Sequence, residues 1–251
     1  MQDERALPPI SLVAFDLDDT LFPERAFVRS GFRVVSDYLL RSGIVNRRLF
    51  SDLEAAFESG IRGRTFNHVL AAAGVEPTER LVADLVEVYR SRRLPDGVVR
   101  PDIHLYKDAD RVLAHLAEQG VRVGLISDGP LVAQQAKIEA LGLSERMDAI
   151  TLTDAWGRDF WKPHPRAFRE MAEHFSLSPA VCVYVADNPE KDFQGPAAAR
   201  WLPSVWLRRH DGLYREAAVP ERGLVSATVE DLSALPEVLA GLSSENGGTN
   251  G

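Results

Sequence analysis

One cysteine, three methionines and no apolar run of membrane-spanning length set the first bounds on this chain of 251 residues. The single cysteine, Cys182, rules out an internal disulfide. Its setting in Ala180-Val181-Cys182-Val183-Tyr184-Val185 reads as a small buried hydrophobe. Positive charge is in deficit: 29 Lys and Arg against 37 Asp and Glu leave a net charge of −8, which argues against nucleic acid as the main partner. The basic pairs Arg47-Arg48, Arg92-Arg93 and Arg208-Arg209 are scattered and read as solvated helix and strand ends. No segment approaches the roughly 20 apolar residues of a membrane span. Met1 to Pro9 is polar and charged, unlike a signal peptide, and internal repeats are absent. These absences predict a soluble, cytoplasmic protein with no membrane partner. The 45% hydrophobic content suffices for one large domain or two modest ones.

Five apolar runs read as buried strands: Ser11–Phe15, Val121–Ile126, Ala149–Thr153, Val181–Ala186 and Ser204–Leu207, with a weaker sixth near Leu224–Val229. Helical patterns lie between them at Asp108–Gln119, Leu131–Leu141 and Pro165–Phe175, the first two stopped at Gly120 and Gly142. Strand and helix alternating at this spacing predict an α/β fold with a Rossmann-like parallel sheet covered on both faces. Residues 22–100 break the rhythm and read as helices only, at Ala26–Arg41, Arg47–Ser59, Thr65–Ala73 and Thr78–Arg92. The expected organisation is a discontinuous core, 1–21 and 101–242, an all-helical insert at 22–100, and a disordered Ser-, Asn- and Gly-rich tail at 243–251.

The first strand runs straight into Asp16-Leu17-Asp18-Asp19-Thr20. Carboxylates crowded at the carboxyl end of a strand repel unless a cation or ligand compensates, and open α/β sheets place their chemistry at that end. A helix-capping turn is the alternative reading. Ser127-Asp128-Gly129-Pro130 offers a hydroxyl and a helix entrance whose amides attract a phosphate, or simply an N-cap serine. Lys162, held in Trp161-Lys162-Pro163-His164-Pro165, is a compact cation suited to a phosphoryl group, or a solvated lysine, and His164 reads as a surface or capping residue. Asp187-Asn188-Pro189-Glu190-Lys191-Asp192 presents two acids that can share a hard cation, or a capping loop, with Glu190 on the surface.

The ordered set is more specific than its parts. Asp16-x-Asp18-x-Thr20, Ser127, Lys162-Pro-x-Pro and Asp187-Asn-x-x-x-Asp192 resemble the motifs of the haloacid dehalogenase-like superfamily of aspartate-dependent phosphohydrolases, over Leu12 to Leu242. The resemblance implies Asp16 as nucleophile and Asp18 as general acid and base, with a helical cap inserted after the first strand. It implies Mg²⁺ held by Asp16, Asp187 and the backbone carbonyl of Asp18, with Asp192 fixing the metal's waters or orienting Lys162. Ser127, Asp128, Lys162 and Thr20 fall in the phosphate-binding set, Thr20 supporting the loop through a backbone bond. Dehalogenation needs no acid at position 18, and the phosphonate branch uses a cap lysine that residues 22–100 lack, so both are disfavoured. Ala186 stands where the superfamily often has glycine.

The insert should discriminate substrates, and its Gly60-to-His68 loop offers Arg62 and Arg64 as substrate contacts or as solvated arginines. Phe22 and Phe27 read as core. The implied function is hydrolysis of a small phosphorylated metabolite, a sugar phosphate or nucleoside monophosphate. Phosphotransfer of the sugar-phosphate mutase kind, and a non-catalytic phospholigand-binding module, are the alternatives. The insert's apolar faces could also pair two copies as a homodimer.

Overall fold

The computed structural model describes residues 10–245, with side chains to residue 243, so the expectations for residues 1–9 and 246–251 lie outside it. Its chain divides into two compact units, one running to Pro23 and continuing through His104–Gln134 and from Gly142 onward, the other Glu24–Ile103 with Gln135–Leu141.

In the first unit, β1 (Leu12–Phe15), β4 (Arg122–Ser127), β5 (Ala149–Leu152), β6 (Cys182–Ala186), β7 (Ser204–Leu207) and β8 (Val225–Val229) form one sheet in the order β5-β4-β1-β6-β7-β8. Every pairing is parallel, with Phe15 level with Leu125 on one side and Val185 on the other. The strand order reverses at β1, so the carboxyl ends of β1, β4 and β6 flank the crevice where such sheets bind ligands. The unbroken apolar runs are explained by burial on both faces: all of β1 and β6 is buried. On one face, Leu12, Ala14, Tyr184 and Trp206 pack with Phe168 and Met171 of α7 (Arg166–His174). Gly124 permits this approach, because a Cβ there would stand 2.4 Å from the Met171 sulfur. α5 (Lys107–Glu118) packs on β4, burying Ala109, Val112, Leu113 and Leu116, a spacing of three and four residues that sets them on one stripe. The short α8 (Gln194–Ala198) and the terminal α9 (Leu235–Glu245) complete the unit. The tail expected to be disordered from 243 is helical through Glu245; Ser243 donates to the Leu239 carbonyl at 3.0 Å, a local bond that a helix accommodates.

The second unit contains α1 (Glu24–Arg41), α2 (Phe50–Glu58), α3 (Thr65–Ala72) and α4 (Glu79–Ser91) around a core of Phe32, Val35, Leu39, Leu53, Leu70 and Leu85. Thr78 caps α4 by accepting the Leu81 N–H at 3.3 Å, and caps of this kind contribute about 1 kcal/mol. The unit is not helical throughout: β2 (Arg93–Leu94) and β3 (Gly97–Val98) form a two-stranded hairpin. Pro95-Asp96-Gly97 supplies its turn, with Gly97 at φ 136°, so the expected return of the chain carries a strand pair. Residues 135–141 of α6 (Leu131–Leu141), placed with the sheet by the sequence, group with these helices. Among the described residues no helix is long and apolar enough to cross a membrane.

Candidate active site

Asp16 follows β1 without a break: its N–H bonds to the Val185 carbonyl at 2.9 Å, which prolongs the β1–β6 ladder and sets its carboxyl beside Asp187. The chain then turns sharply, Asp19 taking φ 55° and donating its N–H to the Phe22 carbonyl at 2.9 Å. Asp tolerates this left-handed conformation better than most residues. Past β6, the Asp192 N–H bonds to the Asn188 carbonyl and the Asn188 N–H to Asp192 Oδ2, both at 3.1 Å. That turn folds Asp192 back toward Asp187. One carboxylate oxygen each from Asp16, Asp187 and Asp192 lies within 4.8 Å of the others, and all three residues are buried.

Lys162 enters this cluster from the loop after β5. Its Nζ lies 2.5 Å from Asp16 Oδ1 and 2.8 Å from Asp192 Oδ1, and donates to Tyr184 Oη at 2.9 Å. The side chain is 0% exposed, so it is no solvated lysine. Burial pushes the Asp16 carboxyl up to about 6, with Asp192 adding repulsion and Lys162 and Lys191 opposing it. Asp187 is pushed well above the usual carboxylate range, by burial first and then by Asp16, Asp192 and Asp19. Burial works against the Lys162 ammonium, yet Asp16 and Asp192 outweigh it and hold the amine firmly protonated.

The remaining predicted residues divide into those the structure brings to this cluster and those it does not. Ser127 ends β4, 1% exposed, with Oγ 3.4 Å from the Asp128 carbonyl; it does not cap α6, whose Leu131 N–H is taken by Asp154 at 3.2 Å. Asp128 has both oxygens engaged by the protein: Oδ1 accepts from the Thr153 hydroxyl at 2.7 Å and the Lys162 N–H at 3.1 Å, and Oδ2 from Lys191 at 3.1 Å. Burial raises its carboxyl, but Lys162 and Lys191 prevail and hold it below the usual range. It therefore ties the lysine-bearing loops together. Thr20 supports its loop by a different atom than expected. Its hydroxyl is buried with no hydrogen-bond partner among the described residues, whereas its carbonyl accepts from Arg209 at 3.0 Å. Asp18 is half-buried and receives the Gln134 amide at 3.2 Å. His164 Nδ1 accepts the Arg166 N–H at 3.2 Å just before α7, whose N-cap is Pro165, and Glu190 is exposed.

Arg62 and Arg64 are exposed on the helical unit. Arg62 lies 4.2 Å over the Phe57 ring and lines, with Phe32, Phe66 and Tyr89, a cavity of about 330 Å³ within that unit. Phe22 and Phe27 are both buried, as expected.

Four supporting residues escaped the sequence reading. Tyr184 sits mid-strand in an apolar run and gave no sign that its hydroxyl meets Lys162. Trp206, also within a strand, donates its indole N–H to the Asp187 carbonyl at 2.9 Å. Arg209, read as part of a solvated basic pair, is buried: it holds the Thr20 carbonyl, pairs with Asp108 at 2.9 Å and lies 3.7 Å over the Tyr106 ring. Gln134 lay inside a helical pattern with nothing to distinguish it.

The acids, the lysine and the sheet that aligns them define a hydrolase of a known class: residues 10–200 match the haloacid dehalogenase-like hydrolases, and the chain belongs to that family. Among its relatives, a glyceraldehyde 3-phosphate phosphatase of Methanopyrus kandleri is 29% identical over 213 residues, 82% of this chain and 87% of that one. A phosphoserine phosphatase of Thermus thermophilus is 31% identical over 157 residues, 62% of this chain and 57% of the relative. The solved 2-haloacid dehalogenase of Pseudomonas syringae shares the fold with a TM-score of 0.59 at 24% identity, covering 92% of this chain and 98% of that one.

Proposed function

We propose that this protein is a Mg²⁺-dependent phosphomonoester hydrolase that acts on a small phosphorylated metabolite, a sugar phosphate or nucleoside monophosphate, through an aspartyl-phosphate intermediate. The observation that carries the reading is Lys162 locked between Asp16 and Asp192 beside Asp187. One buried lysine does not offset three carboxylates, and oxygen donors alone suit a hard divalent cation. Asp16, Asp187 and the Asp18 carbonyl would hold it, with Asp192 outside them. When bound, such an ion lets the carboxylates stay ionised together and neutralises charge on the phosphoryl oxygens.

The protein's own groups supply the rest. Asp16 attacks phosphorus in line, forming an Asp16 O–P bond as the ester P–O bond breaks. Asp18 protonates the departing alkoxide, then takes a proton from the water that attacks the aspartyl phosphate and releases Asp16 and inorganic phosphate. Lys162 and Ser127 hold phosphoryl oxygens, and a fixed cation stabilises charge developing there without reorganising. In this reading Arg62 and Arg64 contact the substrate from the helical unit. The phosphatase relatives support the reaction class but not the identity of the substrate.

A phosphate-release screen over small phosphate esters, with and without EDTA, tests the reading. Mg²⁺-dependent release by the unmodified protein, lost in Asp16→Asn, is expected; release by Asp16→Asn at the unmodified rate contradicts it. Substitution of Arg62 and Arg64 by alanine should raise KM for good substrates, and unchanged KM values remove those two residues from the account.

A further inference from the structure

We propose that Gln134 is a positioning residue for the acid and base step: its amide N–H₂ aims the Asp18 carboxyl at the leaving-group oxygen. Gln134 lies in the first turn of α6 and is 3% exposed. Its Nε2 donates to Asp18 Oδ2 at 3.2 Å and to the Asp128 carbonyl at 2.5 Å. Two acceptors on the nitrogen fix which way the amide points. Its own Oε1 is left buried with no partner among the described residues. A buried unsatisfied acceptor is uncommon in folded proteins and calls for an explanation. Here the explanation is that the side chain is kept for its two donors alone.

The local backbone is cut to fit. Gly129, at φ 119°, leaves the space that the amide occupies, for a Cβ there would stand 2.5 Å from Nε2. The same nitrogen therefore joins the strand-end turn after β4 to the acidic loop after β1, whose Asp18 is 116 residues from Gln134 in sequence. Asp18 reaches out of a loop that is half-exposed at this point. A carboxyl so placed samples several rotamers unless a rigid neighbour selects one, and proton transfer depends on that geometry first. Gln134 is anchored on a helix and supplies such a neighbour.

This inference rests on the phosphomonoesterase reading and its role for Asp18. General acid help matters most for a poor leaving group and little for one that departs readily as an anion. The test compares kcat/KM of the unmodified protein, Gln134→Met and Gln134→Glu across alkyl phosphates and p-nitrophenyl phosphate, because kcat/KM reports the step in which the leaving group departs. Met keeps the volume without the donors; Glu keeps the shape and replaces donors by acceptors. General acid catalysis is worth about 10²–10⁴-fold, so disturbing its geometry should lower kcat/KM for alkyl phosphates by about 30-fold and for the aryl ester by about threefold or less. The dependence of rate on leaving-group basicity becomes steeper in both variants. An equal loss on alkyl and aryl esters in either variant, as misfolding would give, overturns the proposal; so does an unchanged dependence. Should the unmodified protein hydrolyse no phosphate ester at all, it is the reaction itself that fails, and the two failures are told apart by that control.

Discussion

Lys162 of the sheet unit and Arg92 of the helical unit are both buried cations, held in opposite ways. In the sheet unit, Lys162 is surrounded by charge and dipoles, Asp16 and Asp192 within 2.8 Å and Tyr184 Oη at 2.9 Å. In the helical unit, Arg92 is 0% exposed but lies between the rings of Phe27 and Tyr89, at 4.0 and 4.8 Å, and donates to the Phe27 carbonyl. Its Nε and Nη1 are buried with no hydrogen-bond partner among the described residues, and burial pushes its guanidinium down to about 10. Gly31 makes this packing possible, since a Cβ there would stand 1.9 Å from Arg92 Nη1. Lys162 is held by opposite charge and Arg92 by ring faces and a carbonyl, although both stay protonated near neutral pH. Burial of a cation does not by itself identify chemistry; the partners that hold it must be read as well.

Substituting both cations by methionine separates the two roles. Lys162→Met should lower kcat/KM by about 10³, the scale of losing one charge-stabilising donor, while Arg92→Met should change it by about threefold or less. A loss of similar size in both would erase the contrast. Stability follows next. Removing Lys162 leaves Asp16 and Asp192 facing each other without their nearest cation, so urea unfolding without metal should register a loss of about 3 kcal/mol. A third effect comes from the Arg209–Asp108 pair. Burial raises the Asp108 carboxyl, but the Leu232 N–H and Arg209 outweigh it and the folded value lies below the usual one. Such a group stabilises the folded state above its unfolded value, near 3.9, and loses that contribution as pH falls through the folded value. Asp108→Asn should therefore cost about 2 kcal/mol at pH 7, and the gap from the unmodified protein should close as the pH is taken below about 4. A gap that persists in acid would assign the loss to packing. The smallest effect is expected at Arg92, where methionine replaces a desolvated charge by apolar volume and stability should move by about 1.5 kcal/mol or less.

The sheet was readable because its strands are buried on both faces: an unbroken run such as Val181 to Ala186 has few other fates. Asp16 and Asp187 were readable because each directly follows such a run, and Lys162 because Pro163 and Pro165 stiffen the chain that follows it. What stayed hidden were groups whose role depends on partners far away in sequence. Tyr184 and Trp206 look like ordinary apolar strand residues, and Arg209 looks like one of a solvated pair, until the fold delivers Lys162, the Asp187 carbonyl and the Thr20 carbonyl to them. The β2–β3 hairpin was missed because a two-residue strand has no periodicity to detect; Pro95-Asp96-Gly97 signals only its turn. The helical end of the tail was missed because Ser and Asn composition outweighed the apolar stripe of α9 that precedes it.

The central claim is that the Asp16 carboxylate itself becomes phosphorylated. Acid-quenched turnover with a phosphate ester and Mg²⁺, followed by mass spectrometry of the digested protein, measures this directly. A phosphoryl adduct on the peptide containing Asp16, absent without substrate and absent in Asp16→Asn, is the predicted result. Turnover at full rate with Asp16 unmodified at every quench time, or an adduct on another residue, would contradict it.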